Sequence, residues 1–158
     1  MRNVLSRVLI GVAVTAIAMF GADNSIGTWK RNVAKSKSTP ANKNPIKSLT
    51  LVYEAIDGGV KTTATGERQD GTAINSSSSV KYDGKEYPVA GTGTPWDTTS
   101  VKQIDANTFT FESKKTGGKY HSKGRTVISK DGKTMTSTSK GTNADGQPTS
   151  VVAVYEKQ

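Results

Sequence analysis

The sequence predicts an all-β protein, a single up-and-down antiparallel β-barrel of about 8–9 strands behind an N-terminal signal peptide. Three observations lead there. Short runs of β-branched and aromatic residues alternate with polar ones, and no apolar period of helical spacing appears after the first 22 residues. Asp-Gly recurs at 57–58, 70–71, 83–84, 131–132 and 145–146, with Asp105-Ala106-Asn107 and Gly117-Gly118 filling most of the gap. Asp-Gly supplies the positive φ angles of tight hairpins, so each is a predicted reversal of the chain. Reversals at even spacing describe a meander, and long meanders close into barrels because closure removes exposed edges.

The N-terminus reads as a leader. Arg2 and Arg7 precede an uncharged apolar run from Val8 to Phe20, followed by small residues. The run is shorter than the roughly 20 apolar residues a membrane helix needs. Ala16-Ile17-Ala18 fits a small-x-small cleavage signal, while cutting after Ala22 leaves a cleaner mature start at Asp23. The leader is assigned to residues 1–22 and the barrel to 23–158. This places the protein outside the cytoplasm, secreted or periplasmic, with no stable membrane insertion after cleavage. The chain has no cysteine, which excludes disulfides, thiol catalysis, Cys-ligated zinc and a lipidated anchor. Its formal charge is +9, and losing Arg2 and Arg7 leaves +7.

The strands are predicted at 27–32, 46–55, 60–67, 72–82, 98–104, 108–115, 120–129, 134–142 and 149–156. Ala34 to Pro45, with Lys35, Lys37, Lys43, Pro40 and Pro45, reads as a long loop. Alternation puts Leu49, Leu51 and Tyr53 on one face, and likewise Val60, Thr62 and Ala64. Ile74, Ser76, Ser78, Val80 and Tyr82 share a third face, Phe109 and Phe111 a fourth, and Val151, Ala153 and Tyr155 a fifth. This inner set mixes bulk with small hydroxyl residues. A packed core favours bulk throughout, whereas small polar residues facing inward leave room for a ligand.

Gly27-Thr28-Trp29 at the first strand, a long loop and then a meander resemble the lipocalin or calycin pattern. Closer still, the run from Gly27 to Ser36, Val80 to Pro88, Ser129 to Thr136 and the closing Val152-Ala153-Val154-Tyr155-Glu156-Lys157-Gln158 resemble small uncharacterised exported bacterial proteins. The resemblance implies a barrel whose Trp29 plugs the closed end, often against a basic side chain from late in the chain, with the first loop as a lid. It implies no ligand.

No catalytic set is visible. His121 is the only histidine, and no nucleophile or carboxylate is evident near it in sequence; an exposed strand position is expected. The Asp residues sit mostly in turns, and no acidic pair shares a strand face. No metal site, phosphate loop or cofactor motif is present, and export argues against nucleic acid as a partner. Arg125, beside Thr126 and Val127, has three readings: a cavity cation for a ligand carboxylate, a stack over Trp29, or a solvent-exposed residue. Trp96, after Pro95, is expected near a cavity mouth with Tyr87 and Pro88 on the same rim.

The sequence therefore predicts a non-enzymatic barrel holding a small apolar or amphipathic molecule, with a carboxylate as one option for its polar group. The expected contacts are Tyr53, Thr62, Ser76, Ser78, Trp96, Phe109, Phe111, Arg125 and Met135. The alternative is an envelope or surface module that recognises an anionic polymer or protein through a basic exterior; an enzyme on a barrel scaffold ranks third. Exported material should begin at Met19 or Asp23. N-terminal sequencing that finds Met1 on exported protein would contradict the leader.

Overall fold

A computed structural model describes residues 22–158, so the leader lies outside the described residues apart from Ala22. Ten strands follow one another: β1 (Gly27–Thr39), β2 (Ile46–Ile56), β3 (Gly59–Arg68), β4 (Ala73–Lys81), β5 (Tyr87–Thr92), β6 (Thr98–Asp105), β7 (Thr108–Lys114), β8 (His121–Ile128), β9 (Thr134–Thr142) and β10 (Pro148–Lys157). Each pairs antiparallel with the next, and β10 pairs with β1 to close the barrel. The fold is all-β, a single closed up-and-down barrel.

Two features differ from the sequence expectation. β5 is an additional strand. Its Pro88 lacks an amide hydrogen and Gly91 favours a turn, so the segment reads as irregular. It forms because four rungs join it to β4, from Asn75↔Thr92 to Ser78↔Val89, while only Tyr87↔Thr99 and Pro88↔Thr98 join it to β6. Gly91 itself takes φ +106, and a side chain there would collide with the Asn75 carbonyl. The second difference is β1, which continues to Thr39 and leaves a connection of only 40–45. A bulge carries it: Asn32 faces Val154, but the next paired residue is Lys37, facing Val152. The Ser36 hydroxyl accepts from the Val154 amide at 3.0 Å and donates to the Asn32 carbonyl at 2.7 Å, replacing ladder bonds the bulge removes.

Because the strands alternate in direction, the connections fall at two ends. The turns at 57–58, 82–86, 106–107 and 129–133 lie at one end with residues 22–26. The connections 40–45, 69–72, 93–97, 115–120 and 143–147 lie at the other. The first end is sealed. Trp29 is fully buried, donates Nε1–H to the Ser25 carbonyl at 2.6 Å, and carries Lys157 Nζ 5.1 Å above its ring. Phe109, Ile128, Met135, Ala153 and Tyr155 belong to the same buried cluster. Residues 22–26 are strapped across that end. Asn24 donates to the Ala106 carbonyl at 3.0 Å and to Asn107 Oδ1 at 2.7 Å, and the Tyr82 hydroxyl donates to Asp23.

The outward faces carry exposed lysines such as Lys30, Lys61, Lys102, Lys123 and Lys140. Among the described residues no helix is long and apolar enough to cross a membrane. Removing the plug is the sharpest test of how the closed end is held. Trp29→Ala should cost about 3–5 kcal/mol in urea unfolding, as large-to-small core changes do. A loss below about 1 kcal/mol would show that the indole does not hold this end together.

Candidate functional site: a hollow barrel open at one end

The interior is a cavity of about 880 Å³. It is hollow because the inward positions of several strands are small. Ser76 and Ser78 on β4, Thr62 and Ala64 on β3, and Ser137 and Ser139 on β9 all line it. Neighbouring hydroxyls bond to each other across strands, Thr99 to Ser113 at 3.0 Å and Thr126 to Ser137 at 3.2 Å. Apolar side chains are interleaved with them around the same wall: Leu49, Leu51, Ile74, Phe109, Phe111 and Val151. Gly124 on β8 makes space for that wall: a side chain there would meet the Phe111 ring edge at 2.8 Å.

The open end is framed by the 40–45, 93–97, 115–120 and 143–147 connections. Trp96 and Tyr120 stack there with ring centroids 5.5 Å apart and planes 28° from parallel. Arg68 ties two sides of the opening together, donating Nη1–H to the Asn44 carbonyl at 3.1 Å and Nη2–H to the Gly93 carbonyl at 2.9 Å. The opening extends down one side. β1 and β2 pair only from Gly27↔Tyr53 to Lys30↔Thr50, and above that rung the two strands part.

Arg31 is the first β1 residue past that last rung. Trp29 faces in and Lys30 faces out, so alternation turns Arg31 inward, where it lines the cavity. It pairs with Tyr155 in register, donates Nη1–H to the phenol oxygen at 3.3 Å, and lies 5.7 Å from the ring centroid. Burial pushes the Tyr155 phenol above its ordinary value, although Arg31 pulls it back. Burial likewise raises Tyr53, with the nearby Tyr155 and Asp23 adding to it, and raises Tyr82, which also donates to the Asp23 carboxylate. These phenols therefore stay protonated and act as donors across the physiological range.

Of the expected contacts, Tyr53, Thr62, Ser76, Ser78, Trp96, Phe109 and Phe111 line the cavity. Two do not. Arg125 faces outward between inward Gly124 and Thr126 and is exposed, so it neither enters the cavity nor stacks on Trp29; Lys157 occupies the place over the indole. Met135 is 1 % exposed and belongs to the floor packing. Tyr87 is also off the rim: it begins β5 near the closed end and donates its hydroxyl to Asp83 at 3.0 Å. His121 lies on the outer face, 2.8 Å from Glu112, a carboxylate that adjacent strands bring to it and sequence proximity does not reveal. That hydrogen bond holds the Glu112 carboxyl below its usual range. Arg31 was missed although the signal existed, since a Trp facing inward turns the residue two positions later inward as well.

No protein-family model matches the chain, and no curated protein matches it by sequence. Among solved structures, a redesigned beta barrel, mFAP1, bound to DFHBI aligns over 85% of this chain and 95% of that one, at TM-score 0.46 and 12% identity. EF1p2_mFAP2b bound to DFHBI aligns over 85% and 94%, at TM-score 0.46 and 10% identity. Similarity this low carries neither fold nor ligand across, and the barrel rests on the strand pairing above. That pairing and the cavity define the class: a hollow antiparallel β-barrel with one sealed and one open end.

The buried Tyr155 and the half-buried Tyr53 and Tyr82 make alkaline stability a readout of the interior. A phenol whose pKa is higher folded than unfolded stabilises the fold fully below the unfolded value of 10.0 and progressively less above it. Stability should therefore fall as pH rises past that value, and tyrosinate absorbance at 295 nm should lag behind that of the unfolded chain. Full ionisation of all phenols near pH 10 with the fold intact would contradict the burial of Tyr155 and the half-buried placement of Tyr53 and Tyr82 against the same cluster.

Proposed function

We propose that this chain is an exported, lipocalin-like binding protein that holds a small apolar or amphipathic molecule inside its barrel. The observation that carries the reading is the cavity: about 880 Å³, sealed below by Trp29 and open above, with apolar and hydroxyl side chains interleaved over its wall. Ligand sites of this kind run to roughly 300–1,000 Å³, mostly apolar with a few placed polar groups. The calycin assignment draws on the Gly27-Thr28-Trp29 opening and on the position of Trp29 under Lys157. Export draws on the leader alone. A binding role without chemistry draws on the make-up of the cavity wall, where hydroxyls and phenols appear without a carboxylate or histidine to serve as a base.

A neutral solvatochromic probe tests the reading. N-phenyl-1-naphthylamine should bind at one site per chain with a blue-shifted, enhanced emission. Ser139→Trp fills the cavity from β9, and should abolish that signal while leaving the melting temperature at or above that of the parent protein. A folded Ser139→Trp protein that binds the probe as well as the parent would place the binding outside the barrel and overturn the proposal.

A further inference from the structure

The charges around the cavity are one-sided. Its ionisable acid–base lining consists of Arg31, Lys37 and Arg68 together with phenols; no Asp or Glu among the described residues lines it. Asp23, in the strap across the closed end, is engaged by the Tyr82 hydroxyl and by Ser25, whose amide and hydroxyl donate at 2.9 and 2.5 Å. Lys37 lies past the bulge toward the open end. Arg68 is also at the mouth, with two of its donors committed to carbonyls. Arg31 differs from both. It stands one inward step above Trp29 and beside its register partner Tyr155, which belongs to the buried cluster with Trp29. A guanidinium offers five N–H donors, and among the described residues Arg31 gives one to Tyr155 and forms no ion pair. A partly buried cation without a counter-charge is costly, and a carboxylate binding it through two parallel hydrogen bonds offsets that cost.

The apolar lining supplies the other half of the argument. Leu49 and Ile74 continue the apolar lining from the buried cluster, and Ile46, Val151 and Trp96 carry it on toward the open end. The geometry points to a ligand that is an amphipathic carboxylate bound head-first, its anionic group on Arg31 and Tyr155 at the floor and its apolar tail toward the open end. This inference rests on the cavity being the binding site. It adds the chemical class and the direction of the ligand.

Dodecanoate and dodecanol, which share a chain and differ in the charged group, separate the two claims by displacement of N-phenyl-1-naphthylamine. In the parent protein dodecanoate should displace the probe at about tenfold lower concentration or less, as charge-assisted hydrogen bonds require. Arg31→Gln should bring the two competitors to near parity without weakening dodecanol, and Arg68→Gln should leave the preference largely in place. Thermal melts confirm that each variant is folded. If Arg31→Gln does not fold, Tyr155→Phe is the substitute, and it should reduce the preference by removing the second donor. Equal competition by both molecules in the parent would overturn the inference while leaving the cavity as a binding site, as would a preference lost in Arg68→Gln and kept in Arg31→Gln. Failure of the neutral probe to bind at all would overturn the proposed function with it.

Discussion

The burial of Trp29 is the contact on which the rest of the structure depends. An up-and-down barrel of ten strands is by itself a tube, and a tube with two open ends does not retain a small molecule. The indole fills one end, the Ser25 carbonyl takes its N–H, and Lys157 covers its face. The cation over the ring comes from the last strand and the carbonyl from the segment before the first, so the plug joins these two segments across the β1–β10 closure. Residues 22–26 strengthen it from outside through Asn24 and Asp23. With one end sealed, the interior has a floor and an opening, and each inward side chain acquires a depth.

Hollowness follows from side-chain size. A barrel of this circumference fills its interior only if the inward positions are large. Here Ser76, Ser78, Ser137 and Ser139 occupy positions where Leu or Phe would meet across the centre. The fold gives up the apolar burial that a filled core would provide, and much of its cohesion falls to the floor cluster and the continuous strand ladder. The mouth is held differently, by directional contacts: the Arg68 bonds to two loops and the Trp96–Tyr120 stack. Such contacts fix loop positions without filling the space between them.

How much of this was legible depended on local signals. The Asp-Gly reversals and the alternation of Leu49, Leu51 and Tyr53, or of Ile74 to Tyr82, gave the meander and its inner face, because hairpin chemistry and a period of two are written in neighbouring residues. β5 was not legible: Pro88 and Gly91 argue against a strand, and the pairing with β4 that forms it is a tertiary fact. The bulge in β1 was hidden for a related reason, since the Ser36 hydroxyl that sustains it acts on Val154, far along the chain. Of the three readings open for Arg125, the solvent-exposed one holds, because Gly124 and Thr126 are the inward residues there. Arg31 is hidden beside a lysine, and its inward turn follows only once Trp29 is known to face in. Met135 is expected among the ligand contacts, but its depth places it in the floor packing instead of the cavity wall.

The central claim is that the interior exists to hold something. Native mass spectrometry of protein isolated from its own host tests it most directly. The account predicts one organic molecule of added mass per chain on the parent protein and a bare chain for the Ser139→Trp variant prepared in parallel. Identical bare masses for both, under conditions gentle enough to keep N-phenyl-1-naphthylamine bound to the parent, would contradict it.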